Sequence, residues 1–218
     1  MTNRWLLCLA LGLTLIPATL AAQPLGFGAR IGTLGVGAEA ALDLGGPFVA
    51  RGGVGHVPVE PAVRMSGIDW SLELPTPWFN AGLDLYLNGA LRLGGGVLFK
   101  SKDPKIVASL EGPVTVGGRQ FTPDELGSLT GTVESGRRHP YVLLGVGRHT
   151  TGSGLFLDVG MVWFGDSEVR LESTGGSFAD QTELDARLRQ GESEIEADLG
   201  AYLKVWPILS IGARIAVG

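Results

Sequence analysis

Residues 155–172 sort cleanly onto two faces. Leu155, Leu157, Val159, Met161 and Trp163 fall on one parity, and Asp158, Gly160, Asp166, Glu168 and Arg170 on the other. Alternate side chains point to opposite faces of a strand, so this spacing predicts a β-strand with one apolar face. The same period of two recurs in residues 25–32, 36–42, 79–87, 91–100, 141–148 and 209–217, and in a strand that begins at Phe48. With a reversal at Thr33, Leu34 and Gly35, these make eight strands. Residues 67–74 also alternate, with Trp70, Leu72 and Leu74 against Ser71 and Glu73, and are expected to pair with the third strand beyond the main sheet. Pro75 and Pro77 end that segment.

Short turns and long connections follow one another along the chain. Residues 43–47, Asn88-Gly89 and residues 150–154 are turn signals, Asn-Gly being the strongest two-residue hairpin signal. Long loops span about residues 56–78, 101–138 and 172–205. The second holds a hairpin-like VTVGGRQF and a turn at Pro123-Asp124-Glu125. In the third the period changes, with Leu184, Leu188, Ile195, Leu199 and Leu203 recurring at helical spacing among Glu183, Asp185, Glu192, Glu194, Glu196 and Asp198. This predicts one or two acidic amphipathic helices over residues 182–205, broken at Gly191 and stopped by Trp206-Pro207. Tilted strands of about nine to eleven residues suit a bilayer. The fold expected is all-β: an eight-stranded antiparallel up-and-down transmembrane β-barrel, both termini on the short-turn side, with an acidic amphipathic helix in the last long loop.

The N-terminus changes the domain picture. Arg4 precedes an apolar run from Trp5 to Ile16 and a small-residue stretch from Ala18 to Ala22. That order predicts a secretory signal peptide over residues 1–22, leaving residues 23–218 as one barrel domain. The single cysteine, Cys8, lies inside the peptide, so the mature chain is expected to carry no disulfide or thiolate chemistry. No later apolar run is long enough for a membrane helix, which leaves a closed barrel as the way to cross lipid. A net charge of -5 without a basic patch argues against nucleic acid.

Periodicity alone does not say which face is inside. The polar face is crowded with glycine, at Gly28, Gly37, Gly53, Gly82, Gly94, Gly96, Gly160 and Gly212, which suits the narrow interior of an eight-stranded barrel. The lumen is then expected to hold an ion-pair cluster of Arg30, Glu39, Arg51, Asp84, Arg92, Asp158 and Arg214, because buried charges persist when paired. Trp78, Phe79, Phe99, Tyr141, Trp163 and Trp206 are expected at the long-loop end as an aromatic girdle, with Phe27 and Phe48 at the other. A soluble lipocalin-like barrel is the competing fold.

The tracts GARIGTLGVGAEAALDL, VGGRQFTPDELGSLTGTVESGRRHPYVLLGVG, FLDVGMVWFGDSEVRL and VWPILSIGARIAVG, together with the signal peptide, resemble small bacterial outer-membrane β-barrel proteins related to the OmpA/OmpW-like barrels. The resemblance covers nearly the whole mature chain and rests on glycine and aromatic placement. It implies an eight-stranded barrel in a Gram-negative-type outer membrane, inserted by the outer-membrane assembly machinery, and implies no reaction. Such barrels usually finish on an aromatic residue that this machinery reads. Here the last residues are Ala216-Val217-Gly218, an expected weakness in assembly rather than in fold.

Candidate chemistry is sparse. His56, His139 and His149 stand alone in sequence, and His139 near Tyr141 lacks the His-x-Ser spacing of outer-membrane lipid-modifying enzymes. Gly26-Phe27-Gly28 and Gly145-Val146-Gly147 lead into no helix, so they fail as phosphate loops. Glu192, Glu194, Glu196 and Asp198 lack calcium-loop spacing. No catalytic residue, cofactor or metal is expected. Ile195, Leu199 and Leu203 form an apolar stripe expected to lie as a lid over the outer mouth or against the 101–138 insertion. The function expected is a monomeric structural or interaction protein of the outer membrane with an occluded, ion-paired lumen, its loops contacting lipopolysaccharide, ligands or other cells. A narrow channel for small or apolar solutes is the alternative, ahead of a lipid-modifying enzyme or a soluble lipid binder.

Overall fold

The computed structural model describes residues 24–65 and 67–217, so the predicted signal peptide lies outside the described residues. Eight strands close into a barrel: β1 (Leu25–Gly32), β2 (Gly35–Gly45), β3 (Phe48–His56), β6 (Trp78–Asn88), β7 (Leu91–Lys100), β12 (Arg138–Val146), β13 (Ser153–Trp163) and β15 (Val205–Val217). Their order around the wall is β1-β15-β13-β12-β7-β6-β3-β2. Every pairing is antiparallel, and β1 closes the cylinder by pairing with both β15 and β2, Leu25 lying opposite Val217 on one side and Leu42 on the other. The reversal at Thr33 and Leu34 is the first hairpin turn.

The wall is inverted relative to a water-soluble protein. Leu155 is 70% exposed, and Ile31, Leu83, Leu209 and Ile215 are more than half exposed, whereas Arg92, Asp84 and Asp158 inside are at most 1% exposed. Charge faces the axis and aliphatic surface faces outward.

Between the barrel strands, the long loops fold into a second layer. It contains β4 (Ala62–Met65), β5 (Ile68–Glu73), β8 (Lys105–Ser109), β9 (Val114–Val116), β10 (Arg119–Phe121), α1 (Pro123–Leu126), β11 (Gly127–Glu134), β14 (Glu168–Gly175) and α2 (Gln181–Lys204). Five of these strands form one sheet in the order β14-β11-β8-β5-β4, so all three long loops contribute to it. The β9–β10 hairpin turns at Gly117 and Gly118, both in the left-handed region that such a two-residue turn requires. Ile68, Trp70, Ile106, Val116, Phe121, Leu126, Leu129, Leu184, Leu188 and Ile195 share one buried core, so this cap has an interior of its own.

Helix α1 opens with a capping box. Thr122 N–H donates to Glu125 Oε2 at 2.7 Å, and Glu125 N–H donates to Thr122 Oγ1 at 3.3 Å. The Thr122 amide, and then its hydroxyl, hold the exposed Glu125 carboxyl below the usual carboxylate range. This contribution is complete above the ordinary glutamate pKa and is lost as pH falls through the lowered one. The protection of the Thr122 amide against hydrogen exchange, relative to an unstructured peptide at the same pH, is therefore expected to fall on the acid side.

Three expectations change here. Residues 67–74 do not pair with the third strand, because β3 is flanked by β2 and β6, while β5 pairs with β4 and β8. The alternation of 155–172 spans two strands in different layers, β13 in the barrel and β14 in the cap, separated at Gly165 with φ +74. Gly191 does not break the helix, which runs unbroken for 24 residues. A Cβ at Gly191 would stand 3.0 Å from Val116 Cγ1 and 3.3 Å from Leu171 Cδ1, so glycine serves the close approach of α2 to the cap.

Candidate functional site

The barrel interior is filled in two layers, and the first is ionic. Arg51 on β3, Asp84 on β6, Arg92 on β7 and Asp158 on β13 form a closed ring of alternating charge. Arg51 Nη1 lies 2.8 Å from Asp158 Oδ2 and Arg51 Nε 3.2 Å from Asp84 Oδ2. Arg92 Nη1 lies 3.3 Å from Asp84 Oδ2 and Arg92 Nη2 2.5 Å from Asp158 Oδ1. The strand order puts β3 and β13 four strands apart whichever way round the wall is followed. The Arg51–Asp158 pair therefore crosses the full width of the lumen. Glycine makes room for it: a Cβ at Gly145 would overlap the Arg92 guanidinium and the Asp158 carboxylate.

A polar extension leads from the ring toward the short-turn end. Glu39 Oε2 is 3.5 Å from Arg51 Nη1, and Glu39 Oε1 is 2.7 Å from His149 Nε2. His149 Nδ1 lies 3.2 Å from the Tyr86 hydroxyl, which also accepts the His149 backbone N–H at 3.0 Å. His149 is 2% exposed, so it belongs to the lumen and not to a surface turn.

Arg30 and Arg214, expected in the ion-pair cluster, are buried on the lumen side but make no ion pair among the described residues. Arg30 Nη2 donates to Asn80 Oδ1 at 2.9 Å, above the ring. Arg214 Nη2 donates to the Thr151 carbonyl at 3.4 Å, near the short turns. Three carboxylates, Glu39, Asp84 and Asp158, sit near the axis, and Arg51, Arg92 and His149 engage them before these two arginines reach one.

The second layer is apolar and fills the half of the barrel under the cap. Leu34, Trp78, Leu98, Tyr141, Leu143, Val162 and Ile208 are buried together, with Val57, Phe164 and Trp206 packed against them. Phe164 closes the top, its ring 4.5 Å edge-on from that of His139 and 6.3 Å from that of Trp78. Between plug and ring remains a void of about 10 Å3, lined in part by Arg30, Arg51, Asn80 and Tyr141. That is roughly the least space one water needs.

This layer corrects half of the aromatic girdle. Trp78 and Tyr141 are 3% and 6% exposed and point inward, and Trp206 packs on the plug. Each has the parity of lumen residues on its own strand: Trp78 with Asn80 and Asp84, Tyr141 with Gly145, Trp206 with Ser210 and Arg214. Phe79 and Trp163 face outward and are 48% and 39% exposed, Phe99 is half-buried, and Phe27 and Phe48 are exposed near the other end. Asn80 and Tyr86 carry the lumen parity of Asp84, whereas His149 in the polar layer and Leu34, Leu98 and Leu143 in the plug are not expected inside from the sequence. Parity with Arg92 would have marked Leu98; nothing local marks His149, which sits just beyond the end of β12.

The apolar stripe of α2 serves the cap. Ile195 is 3% exposed in the same core as Leu184, Leu188 and Val116 of the 101–138 insertion, while the side chains of Leu199 and Leu203 lie outside the described residues. Glu192 and Glu196 turn their carboxylates to strand β14, where Glu192 Oε1 accepts from Leu171 N–H and Glu196 Oε1 from Val169 N–H, each at 2.8 Å. No group of three or more His, Cys, Asp or Glu side chains is placed to hold a metal among the described residues.

No protein-family model matches the chain, and no curated protein does. Among solved structures it is similar to CarO of Acinetobacter baumannii, with 18% sequence identity and a TM-score of 0.57 over 88% of this chain and 97% of that one. It is also similar to CarO2 of the same organism, with 18% identity and a TM-score of 0.59 over 89% of this chain and 98% of that one. At this identity the likeness establishes a shared fold.

Proposed function

We propose that this chain is an outer-membrane β-barrel that is closed at rest and presents its folded cap at the cell surface as the working part. The observation that carries this reading is the pairing of an outward aliphatic wall with an Arg51–Asp158 bridge across the lumen. In lipid a barrel satisfies all its backbone groups only when closed, and this one closes β1 onto β15. Phe79 and Trp163 then stand at the outer interface among lipopolysaccharide, and the assembly machinery is the partner during insertion. The protein acts as a monomer that holds the cap in place, without catalysis.

Two measurements test this. Detergent-extracted protein is expected to change electrophoretic mobility on heating. In planar bilayers it is expected to give no sustained conductance; steady open channels would favour a narrow solute channel instead. Plug and ring block in series, so either alone stops ions. Tyr141→Ala, which cuts only the plug, is therefore expected to leave the bilayer as quiet as the wild type does. Steady current from that variant would show that the ring does not seal.

A further inference from the structure

We propose that the groove between β14 and α2 is a binding site for an extended, lysine- or arginine-bearing peptide, which docks by adding a strand to the β14 edge. β14 is the outer strand of the cap sheet and pairs on one side only, with β11. An open edge of eight residues is a template for strand addition. Here its outward N–H groups at Val169 and Leu171 are held by two helix carboxylates instead of by backbone carbonyls.

The match of repeats explains how a helix stands in for a strand. Glu192 and Glu196 are four residues apart on α2, a rise of roughly 6 Å. Val169 and Leu171 are two residues apart on β14, roughly 6.6 Å. Two carboxylate oxygens thus fall at the spacing of two carbonyls of a neighbouring strand, and these two edge N–H groups are satisfied without one.

The helix does not fill the space beside the strand. A groove of about 570 Å3 lies between them, within the range of small-ligand sites. Its charge selects the occupant. Glu168, Glu172, Asp185, Glu192 and Glu196 line it against Arg170 and Arg189, and Arg170 is already engaged by Glu134 at 2.9 Å.

Docking is an exchange that leaves neither of these two N–H groups unpaired. Peptide carbonyls replace Glu192 Oε1 and Glu196 Oε1 at Leu171 N–H and Val169 N–H. The two released carboxylates pair with peptide ammonium or guanidinium groups. A neutral strand recovers only the first half of this exchange, and a compact basic ligand only the second.

The test uses the full chain in detergent micelles and three fluorescently labelled probes: the hexapeptide amide Lys-Val-Lys-Val-Lys-Val, its Glu-Val counterpart, and a Lys-Val analogue N-methylated at every peptide bond. The first is expected to bind saturably. The acidic probe and the N-methylated probe, which keeps the charge but cannot form a ladder, are each expected to bind at least about tenfold more weakly. Glu192→Gln/Glu196→Gln keeps acceptor oxygens for the edge and removes the charge, and is expected to weaken the first probe by at least about tenfold. Unchanged protease resistance of the cap certifies that this variant is folded. Equal binding of the N-methylated probe would reduce the site to surface electrostatics and overturn the proposal, as would no binding of the first probe at about 1 mM, a limit corresponding to the weakest specific association. The inference rests on the cap being surface-exposed but is read separately from the closed lumen, since probe binding and bilayer conductance can fail independently.

Discussion

Replacing Asp158 with Asn should cost the barrel about 3–5 kcal/mol, the range for breaking a buried ion pair by removing one partner. Asp158 is 1% exposed and is shared by two guanidiniums, Arg51 at 2.8 Å and Arg92 at 2.5 Å. Asparagine keeps the shape and one acceptor, but its NH2 must face an arginine that already donates. Asp84 and Glu39 would then balance two buried guanidiniums without the carboxylate that spans the lumen. The measurement is the urea midpoint at which the heat-modifiable folded form is lost. Adding Arg92→Gln to Asp158→Asn should give a total loss smaller than the sum of the single losses by about 1 kcal/mol or more, because the second change removes a guanidinium that the first deprived of its nearer carboxylate and left to share Asp84 with Arg51. A single variant within about 0.5 kcal/mol of wild type would mean that water or relaxation solvates the ring, and that it does not hold the barrel shut.

The barrel was legible from the sequence because a period of two is a local property and a closed wall repeats it. Strand count, the reversal at Thr33, the polarity of the interior and the ring residues all follow from parity together with the volume limit of a narrow cylinder. Where parity was set aside, the reading failed. A girdle that holds both Trp78 and Phe79 ignores parity, since consecutive residues of one strand cannot share a face. Trp78 carries the parity of Asp84, and the structure puts it in the plug. Large apolar side chains on a polar parity marked the place where the lumen changes from ionic to apolar.

The cap was not legible for a different reason. Its sheet joins β5, β8, β11 and β14 from three separate loops, and no local pattern encodes which loops pair. Residues 155–172 keep most of their apolar residues on odd numbers, Phe156, Val162 and Phe164 being the exceptions, although Leu157 meets the outside of the barrel while Val169 and Leu171 enter the cap core. Periodicity reports that a face is apolar and is silent about what covers it. Nothing in the sequence marks Glu192 and Glu196 for their role, because their partners are backbone N–H groups, which have no sequence signature.

Trp70→Ala should separate the two layers. Trp70 lies on β5, is 1% exposed, and is the largest side chain of the cap core. Truncating a buried Trp or Phe costs about 3–5 kcal/mol, the cavity adding to the lost burial. Against a domain stability of about 5–15 kcal/mol, that is a large share of what holds the cap together. The barrel keeps its own ladder hydrogen bonds and its ring, none of which passes through Trp70. Limited proteolysis should therefore cut the variant within residues 101–137 and 164–204 at protease levels that leave the wild type intact, while the heat-modifiable mobility of the barrel persists. Loss of the folded barrel together with the cap would show instead that the layers form one cooperative unit, coupled where β13 and β15 continue into the loop that carries β14 and α2.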